Sequence, residues 1–363
     1  MLEQLLKDRN VLPLPTVTNE NWSEVRASLV DLLCTREYGQ PVPAPDEISF
    51  EIVEAEGNHR FCAGLGDCYR GTASGTLLSR PFSFPFTVCL PKSATKENPA
   101  PFFVLSNFHE GEPNMYLPIE EIIDRGYAVL YTCYKSVTSD DNDFTTGIAS
   151  CLYPDGERKT PDATGKLQMW AWANMRVLDY ALTDPRLDAS NAAVIGHSRL
   201  GKTALVTGMM DERFRYVISN DSGCSGAAIT SRKQGENIAH ITKTFPFWFC
   251  PAYQKLAGVD ETGVMPFEQH MLLATIAPRT LFVGSAKEDI WADPDAEKLA
   301  CFAASPVWVG LGQKGFIAPD ALPEVGDDHS DGDICYHLRP GVHFLSRLDW
   351  VSYMNAIDKK MNK

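Results

Sequence analysis

Short apolar runs, each closed by small or polar residues, set the rhythm of this chain. Residues 101–107 (PFFVLSN), 127–132 (YAVLYT), 192–195 (AAVI), 216–220 (YVISN), 279–286 (RTLFVGSA) and 306–311 (PVWVGL) read as strands buried on both faces, the last two closing a sheet. Between them, 119–125 reads as a helix ended by Gly126, 166–183 as a helix carrying Trp170 and Trp172, and a further helix starts at Ser198. Strand, helix, strand in that order makes a right-handed crossover and a parallel pair. Near the N-terminus, 21–33 has apolar residues at helical spacing behind Asn21 as a cap, and Pro41, Pro43 and Pro45 break it. Residues 47–90 turn β-like: 48–53 alternates, and 80–90 enters a strand through Pro81 and Pro85.

This alternation predicts an α/β fold, a three-layer sandwich with a mostly parallel central sheet and helices on both faces. No shift of composition marks a boundary. The expectation is one domain over 1–363, with an N-terminal helical extension over about 1–45 and a loop and helix insertion over about 224–275. The aromatic run Phe245-Pro246-Phe247-Trp248-Phe249 in that insertion reads as apolar packing within a cap rather than as a ligand site.

Bulk properties then narrow the classes. The 363 residues are 44% hydrophobic and 22% charged, ordinary for a globular protein with a sizeable core. A net charge of −14 argues against nucleic acid, which requires a basic face. No apolar run approaches a membrane span. Met1 to Asp8 shows no basic n-region or apolar h-region, and the ten cysteines contain no C-x-x-C pair. The expected location is therefore cytoplasmic, with reduced cysteines behaving as small hydrophobes.

Chemistry concentrates at Ala192-Ala193-Val194-Ile195-Gly196-His197-Ser198-Arg199-Leu200-Gly201-Lys202. An apolar strand ends in Gly-His-Ser, and helix-forming residues follow. That is a nucleophile elbow with Ser198 at the apex, although the second glycine of G-x-S-x-G falls one residue late, at Gly201. An ordinary strand-to-helix turn has the same look, so partners must be sought elsewhere.

A serine attacks a carbonyl only when a base takes its proton and an acid orients the base. In the α/β-hydrolase order, acid and histidine follow the serine. Of His329, His337 and His343, the last sits in Arg339-Pro340-Gly341-Val342-His343-Phe344, after the final strand and before a C-terminal helix, where the base belongs. His329 lies in an acidic loop, either solvated or metal-binding, and His337 packs or hydrogen-bonds near the site. Two acids compete. Asp289 follows the penultimate strand, and Asp221 follows the strand directly after the elbow helix. Asp293, before Pro294, reads as a helix cap. The backbone N–H of Arg199 is the natural first oxyanion donor, with a second from the loop 106–111, and the Arg199 guanidinium adds a permanent charge.

Taken together, the elbow, Asn220-Asp221-Ser222-Gly223, Ser231-Arg232-Lys233-Gln234-Gly235-Glu236-Asn237 and Asp289-Ile290-Trp291-Ala292-Asp293-Pro294 resemble the glucuronoyl esterases of carbohydrate esterase family 15 and bacterial relatives labelled acetyl xylan esterases. The late glycine matches that family's G-C-S-R-x-G-K. Over about residues 80–355 the resemblance implies Ser198 as nucleophile, His343 as base, Arg199 as oxyanion donor, Lys202 and Glu236 as sugar-hydroxyl contacts, and Trp291 as a wall of the sugar subsite. Asp221 stands where fungal members carry a glutamate, and Asp289 where some bacterial relatives carry an aspartate; the shorter reach of Asp221 favours Asp289. His197 replaces a cysteine that is disulfide-bonded in fungal members.

The implied activity is a serine esterase hydrolysing 4-O-methyl-glucuronoyl esters of xylan-derived oligosaccharides through an acyl-enzyme, with no cofactor or metal. An acetyl xylan deacetylase and a non-catalytic carbohydrate-binding relative are the alternatives. Lys202 as a helix cap, Glu236 as a surface charge and Trp291 as core are the plainer readings of those residues.

Overall fold

The computed structural model describes residues 1–111 and 114–362. Its strands are β1 (Glu47–Glu54), β2 (Gly66–Leu77), β3 (Arg80–Pro91), β4 (Ala100–Asn107), β5 (Ala128–Cys133), β6 (Leu187–His197), β7 (Tyr216–Asn220), β8 (Thr280–Ala286), β9 (Asp328–His329) and β10 (Ile334–Arg339). They form one sheet in the order β1-β2-β3-β5-β4-β6-β7-β8-β10-β9. From β5 to β10 the strands run parallel. The first three pair antiparallel along one edge, and β9 pairs antiparallel at the other.

The parallel strands are buried on both faces, so alternate side chains feed two separate cores. In β4, Phe102 and Val104 join the core that holds Trp170, Trp172 and Trp308, beneath the helices Lys166–Ala181, Arg199–Met210 and Pro294–Gly310. Phe103 and Leu105 face the other way, into a smaller core with Tyr127, Trp350 and Tyr353 under the helices Ile119–Asp124 and Arg347–Met361. This is the layered fold that the strand and helix rhythm predicts.

One element differs. Residues 306–311 are not a strand: they end the helix Pro294–Gly310, whose start is set by Pro294 in the first turn and by Asp293, which accepts from the Ala296 N–H at 3.1 Å. Val307 and Trp308 are buried as the helix's apolar face, and a short apolar run looks the same in either element. The true final parallel strand is β10.

The N-terminal residues pack as the helices Leu2–Asp8 and Trp22–Leu33. Arg26 docks the second of these, donating to the carbonyls of Met209 and Thr275. Between β7 and β8, the long connection carries the helices Ile238–Thr244, Val259–Thr262 and Gln269–Ala274. Among the described residues, no helix is long and apolar enough to cross a membrane.

Candidate active site

In a parallel sheet the strands' carboxyl ends open onto one crevice, where ligands bind. Four neighbouring strands deliver chemistry there: β6 runs into Ser198, β7 into Asp221, β8 leads to Asp289, and β10 leads to His343.

Ser198 sits at φ 58°, ψ −127°, a strained conformation for a residue with a side chain. Its N–H donates to Asn220 O at 2.9 Å, and its carbonyl accepts from Gly201 and Lys202. The glycines explain how strand and helix come so close. A Cβ on Gly196 would lie 1.9 Å from Leu200 O, and one on Gly201 would meet Asn220 O and the Ser222 Cβ at 3.0 Å. Leu200, at the usual glycine position, is buried in the core instead. The late glycine is therefore set by the packing of the elbow helix against β7.

His343 Nδ1 lies 2.5 Å from Asp289 Oδ2. The histidine is nearly half exposed and the carboxylate is buried, so the ring meets the cavity while its partner stays dry. Two backbone bonds tie their loops together: Lys287 N–H to Arg339 O and Glu288 N–H to Gly341 O, both 2.9 Å. Asp221 is near, its carboxylate within 4.8 Å of the corresponding Asp289 and His343 atoms. Yet its oxygens are engaged elsewhere, by the Ala286 N–H at 2.8 Å and by Arg339 Nη2 at 3.3 Å. Burial, reinforced by the neighbouring Glu297, Asp349 and Asp289 carboxylates, pushes the Asp221 carboxyl well above the usual range, against the pull of Arg339. Arg339 also binds Asp349, which holds His337 at 2.8 Å, so His337 braces the floor rather than joining the site.

Behind His343 lies His197, buried, with its ring centroid 4.4 Å from that of His343 and its Nδ1 2.7 Å from Asn220 Oδ1. Burial, then the adjacent His343, lowers its pKa to about 3, so it stays neutral. His329 lies elsewhere, 3.2 Å from Asp327. Among the described residues, the grouping with metal-like spacing is Asp221, Asp289 and His343 themselves.

A cavity of about 320 Å³ joins these groups: Ser198, Asp289 and His343 share it with Arg199, Lys202, Glu236 and Trp291. Lys202 is buried, donates to Ser222 O, and lies 4.0 Å from Glu236 Oε2. Burial lowers its pKa, and Glu236 opposes the shift. It is no surface cap. Trp291 is 53% exposed, which removes the reading of it as core. The loop 106–111, expected to supply a second oxyanion donor, does not line this cavity.

Two aromatic residues assigned to packing do reach it. Phe245 and Trp248 line the cavity, stacked on each other at 3.9 Å between centroids, whereas Phe247 and Phe249 are buried as expected. Arg199 lies over both rings and pairs with Asp140, a residue that the sequence reading passed over.

A strained serine at the end of a parallel strand, followed in chain order by an acid and a histidine in contact, defines an α/β-hydrolase. A family model described as "Glucuronyl esterase, fungi" matches residues 78–312. The chain belongs to the glucuronyl esterase family. It is 38% identical over 250 residues, 67% of its length, to "Carbohydrate esterase MZ0003" from an unknown prokaryotic organism, covering 56% of that protein. It is 34% identical over 160 residues, 41% of its length, to the "4-O-methyl-glucuronoyl methylesterase" of Hypocrea jecorina, covering 34% of it. The chain thus spans about half of the first relative and a third of the second. Among solved structures, the "Glucuronoyl Esterase from Solibacter usitatus" superposes with a TM-score of 0.84 at 28% identity, over 95% of this chain and 94% of the other.

Proposed function

We propose that this chain hydrolyses 4-O-methyl-glucuronoyl esters of xylan-derived saccharides. The observation that carries the reading is the 2.5 Å contact between His343 and Asp289, opening with Ser198 onto a cavity walled by Lys202, Glu236 and Trp291. With Nδ1–H donated to Asp289, the other His343 nitrogen, Nε2, is the base. Ser198 Oγ attacks the ester carbonyl as its proton passes to Nε2. The oxyanion is met by the backbone N–H of Arg199, at the start of its helix, and by that residue's guanidinium. Collapse expels the alcohol, which takes the proton from His343, and leaves an acyl ester on Ser198. Water then attacks as His343 takes one of its protons, and collapse breaks the acyl–Oγ bond, His343 returning that proton to Ser198 Oγ as the free uronic acid departs.

The polar wall suits a uronate. A hexuronic ring offers several hydroxyls, and Lys202 and Glu236 supply a donor and an acceptor at one side of the cavity, with Trp291 as an exposed face for the ring. An acetyl group needs none of these. The family relatives named for methyl-glucuronate esters support the same choice. Buried thiols such as Cys34, Cys224 and Cys301 support a reducing, cytoplasmic location.

The test compares kcat/KM on benzyl glucuronate with that on acetylated xylo-oligosaccharides. A preference for the glucuronate of at least about tenfold, lost in Ser198→Ala, is expected; a preference for acetate overturns the uronate reading. Fluorophosphonate labelling that survives Ser198→Ala overturns the nucleophile.

A further inference from the structure

The loop after β5 places one carboxylate among three donors. Asp140 pairs with Arg199 Nη1, accepts from Tyr134 Oη at 2.7 Å through the same oxygen, and accepts from Trp248 Nε1 at 2.7 Å through the other. Those donors come from different elements: Tyr134 from the turn after β5, Arg199 from the elbow helix, and Trp248 from the insertion before β8. The carboxylate is largely buried, and Arg199 is partly so.

The rest of the guanidinium is also fixed. Its carbon lies 4.7 Å from the Trp248 ring centre and 5.1 Å from that of Phe245. The two rings are parallel within 2° and 3.9 Å apart, so the cation lies beside a stacked aromatic pair, about equally far from both ring centres. The loop is braced in turn by Lys166, whose buried Nζ donates to Thr138 Oγ1, Ser139 Oγ and Asp143 O. Trp170 Nε1 holds the Thr138 carbonyl as well. Arg199 Nε is buried and, among the described residues, has no hydrogen-bond partner. Arg199 itself lines the cavity beside Ser198.

We propose that Asp140 is a positioning residue for the reaction: by holding the Arg199 guanidinium beside Trp248 and Phe245, it keeps that cation at the cavity wall next to Ser198, where the oxyanion forms. Arginine suits this because its donors form a rigid planar fork, so fixing one edge fixes the other. An unrestrained arginine would spread over rotamers, and each turnover would have to reorder it at the moment charge develops. Asp140 touches no reacting atom and acts through Arg199. The inference rests on the reading of Arg199 as an oxyanion donor, and its test separates the two.

The experiment measures kcat and KM on benzyl glucuronate for Arg199→Met, Asp140→Asn and the double variant, with thermal melting of each. Removing an oxyanion donor costs about 10²–10³-fold in kcat, the loss expected for Arg199→Met. Misplacing one by about 1 Å costs up to roughly 100-fold, so Asp140→Asn should lose about 10–100-fold in kcat with KM within about twofold. The double variant should be no slower than Arg199→Met alone, because Asp140 has nothing left to position. If the two losses multiply, or Asp140→Asn keeps kcat within twofold while Arg199→Met does not, the positioning role is overturned. If Arg199→Met itself keeps full kcat, the oxyanion reading falls first. Should Asp140→Asn melt below the assay temperature, Tyr134→Phe, which removes one neutral donor to Asp140, carries the same cycle. A loss of about threefold that vanishes in the Arg199→Met background supports the role, and one that persists there overturns it.

Discussion

Asp221 and Asp289 stand side by side at the ends of adjacent strands, and their surroundings give them different partners. Asp289 is buried but offers Oδ2 to His343, on a loop stitched by backbone bonds to the loop that carries the histidine. Asp221 is more deeply buried and is occupied by a backbone N–H and by Arg339. Under the proposed mechanism, proximity to His343 is therefore a poor guide to which carboxylate orients it. What decides is which oxygen is still unspent once the local framework has been satisfied. A carboxylate crowded by Glu297 and Asp349 and bound to an arginine serves the floor of the site, linking β7, β8 and β10.

The largest effect is expected where both carboxylates converge. His343→Ala removes the base, and kcat on benzyl glucuronate should fall by about 10⁴-fold or more while the melting temperature changes little; a loss below tenfold would break the assignment of the base. Next, Arg339→Met strips Asp221 and Asp349 of their shared cation. Breaking a buried ion pair costs about 3–5 kcal/mol, so urea denaturation should show a loss of about that size, with kcat per folded molecule within about fivefold. A large kcat loss at unchanged stability would mean that Arg339, which also donates to the Val342 and Phe344 carbonyls on either side of His343, positions the histidine loop as well as the floor. Smaller again, Trp291→Ala should raise KM about tenfold at nearly constant kcat, because an exposed ring face contributes to ground and transition states alike.

The smallest effect concerns pH. His197 and His270 are buried and neutral, with pKa values lowered to about 3 and about 4, burial being the main cause in both. In the unfolded chain each takes a proton near pH 6.5, so between those values the unfolded state binds more protons and stability rises with pH. Their contribution is complete above about 6.5 and declines as pH falls toward 3–4, by up to about 1.4 kcal/mol per pH unit for each residue. His197→Asn should flatten that slope in urea denaturation between pH 6.5 and 4.5. An unchanged slope would mean that the ring behind His343 accepts a proton in the folded protein.

Much of the fold was legible because parallel strands buried on both faces leave unbroken apolar runs, as in residues 101–107 and 216–220. The misreading of 306–311 has the same root: a buried helix end presents an equally apolar run, and the evidence for a helix lay twelve residues upstream, at Asp293 and Pro294. Ser198, Asp289 and His343, the proposed triad, were legible as candidates because each follows a strand in the order of an α/β-hydrolase. Asp140 could not. It sits among Ser139, Asp141, Asn142 and Asp143, and only the fold shows which carboxylate turns inward to Arg199 and Trp248. Phe245 and Trp248 were hidden for a related reason, since a run of aromatics has no pattern that separates the rings facing a cavity from those facing the core.

The division of labour between the two aspartates is most directly tested by kcat on benzyl glucuronate for Asp289→Asn and Asp221→Asn measured side by side. Asp289→Asn should lose about 10³–10⁴-fold, as expected when a base loses the carboxylate that fixes its tautomer, and Asp221→Asn should stay within about tenfold. A reversed order, with Asp221→Asn crippled and Asp289→Asn active, would contradict it.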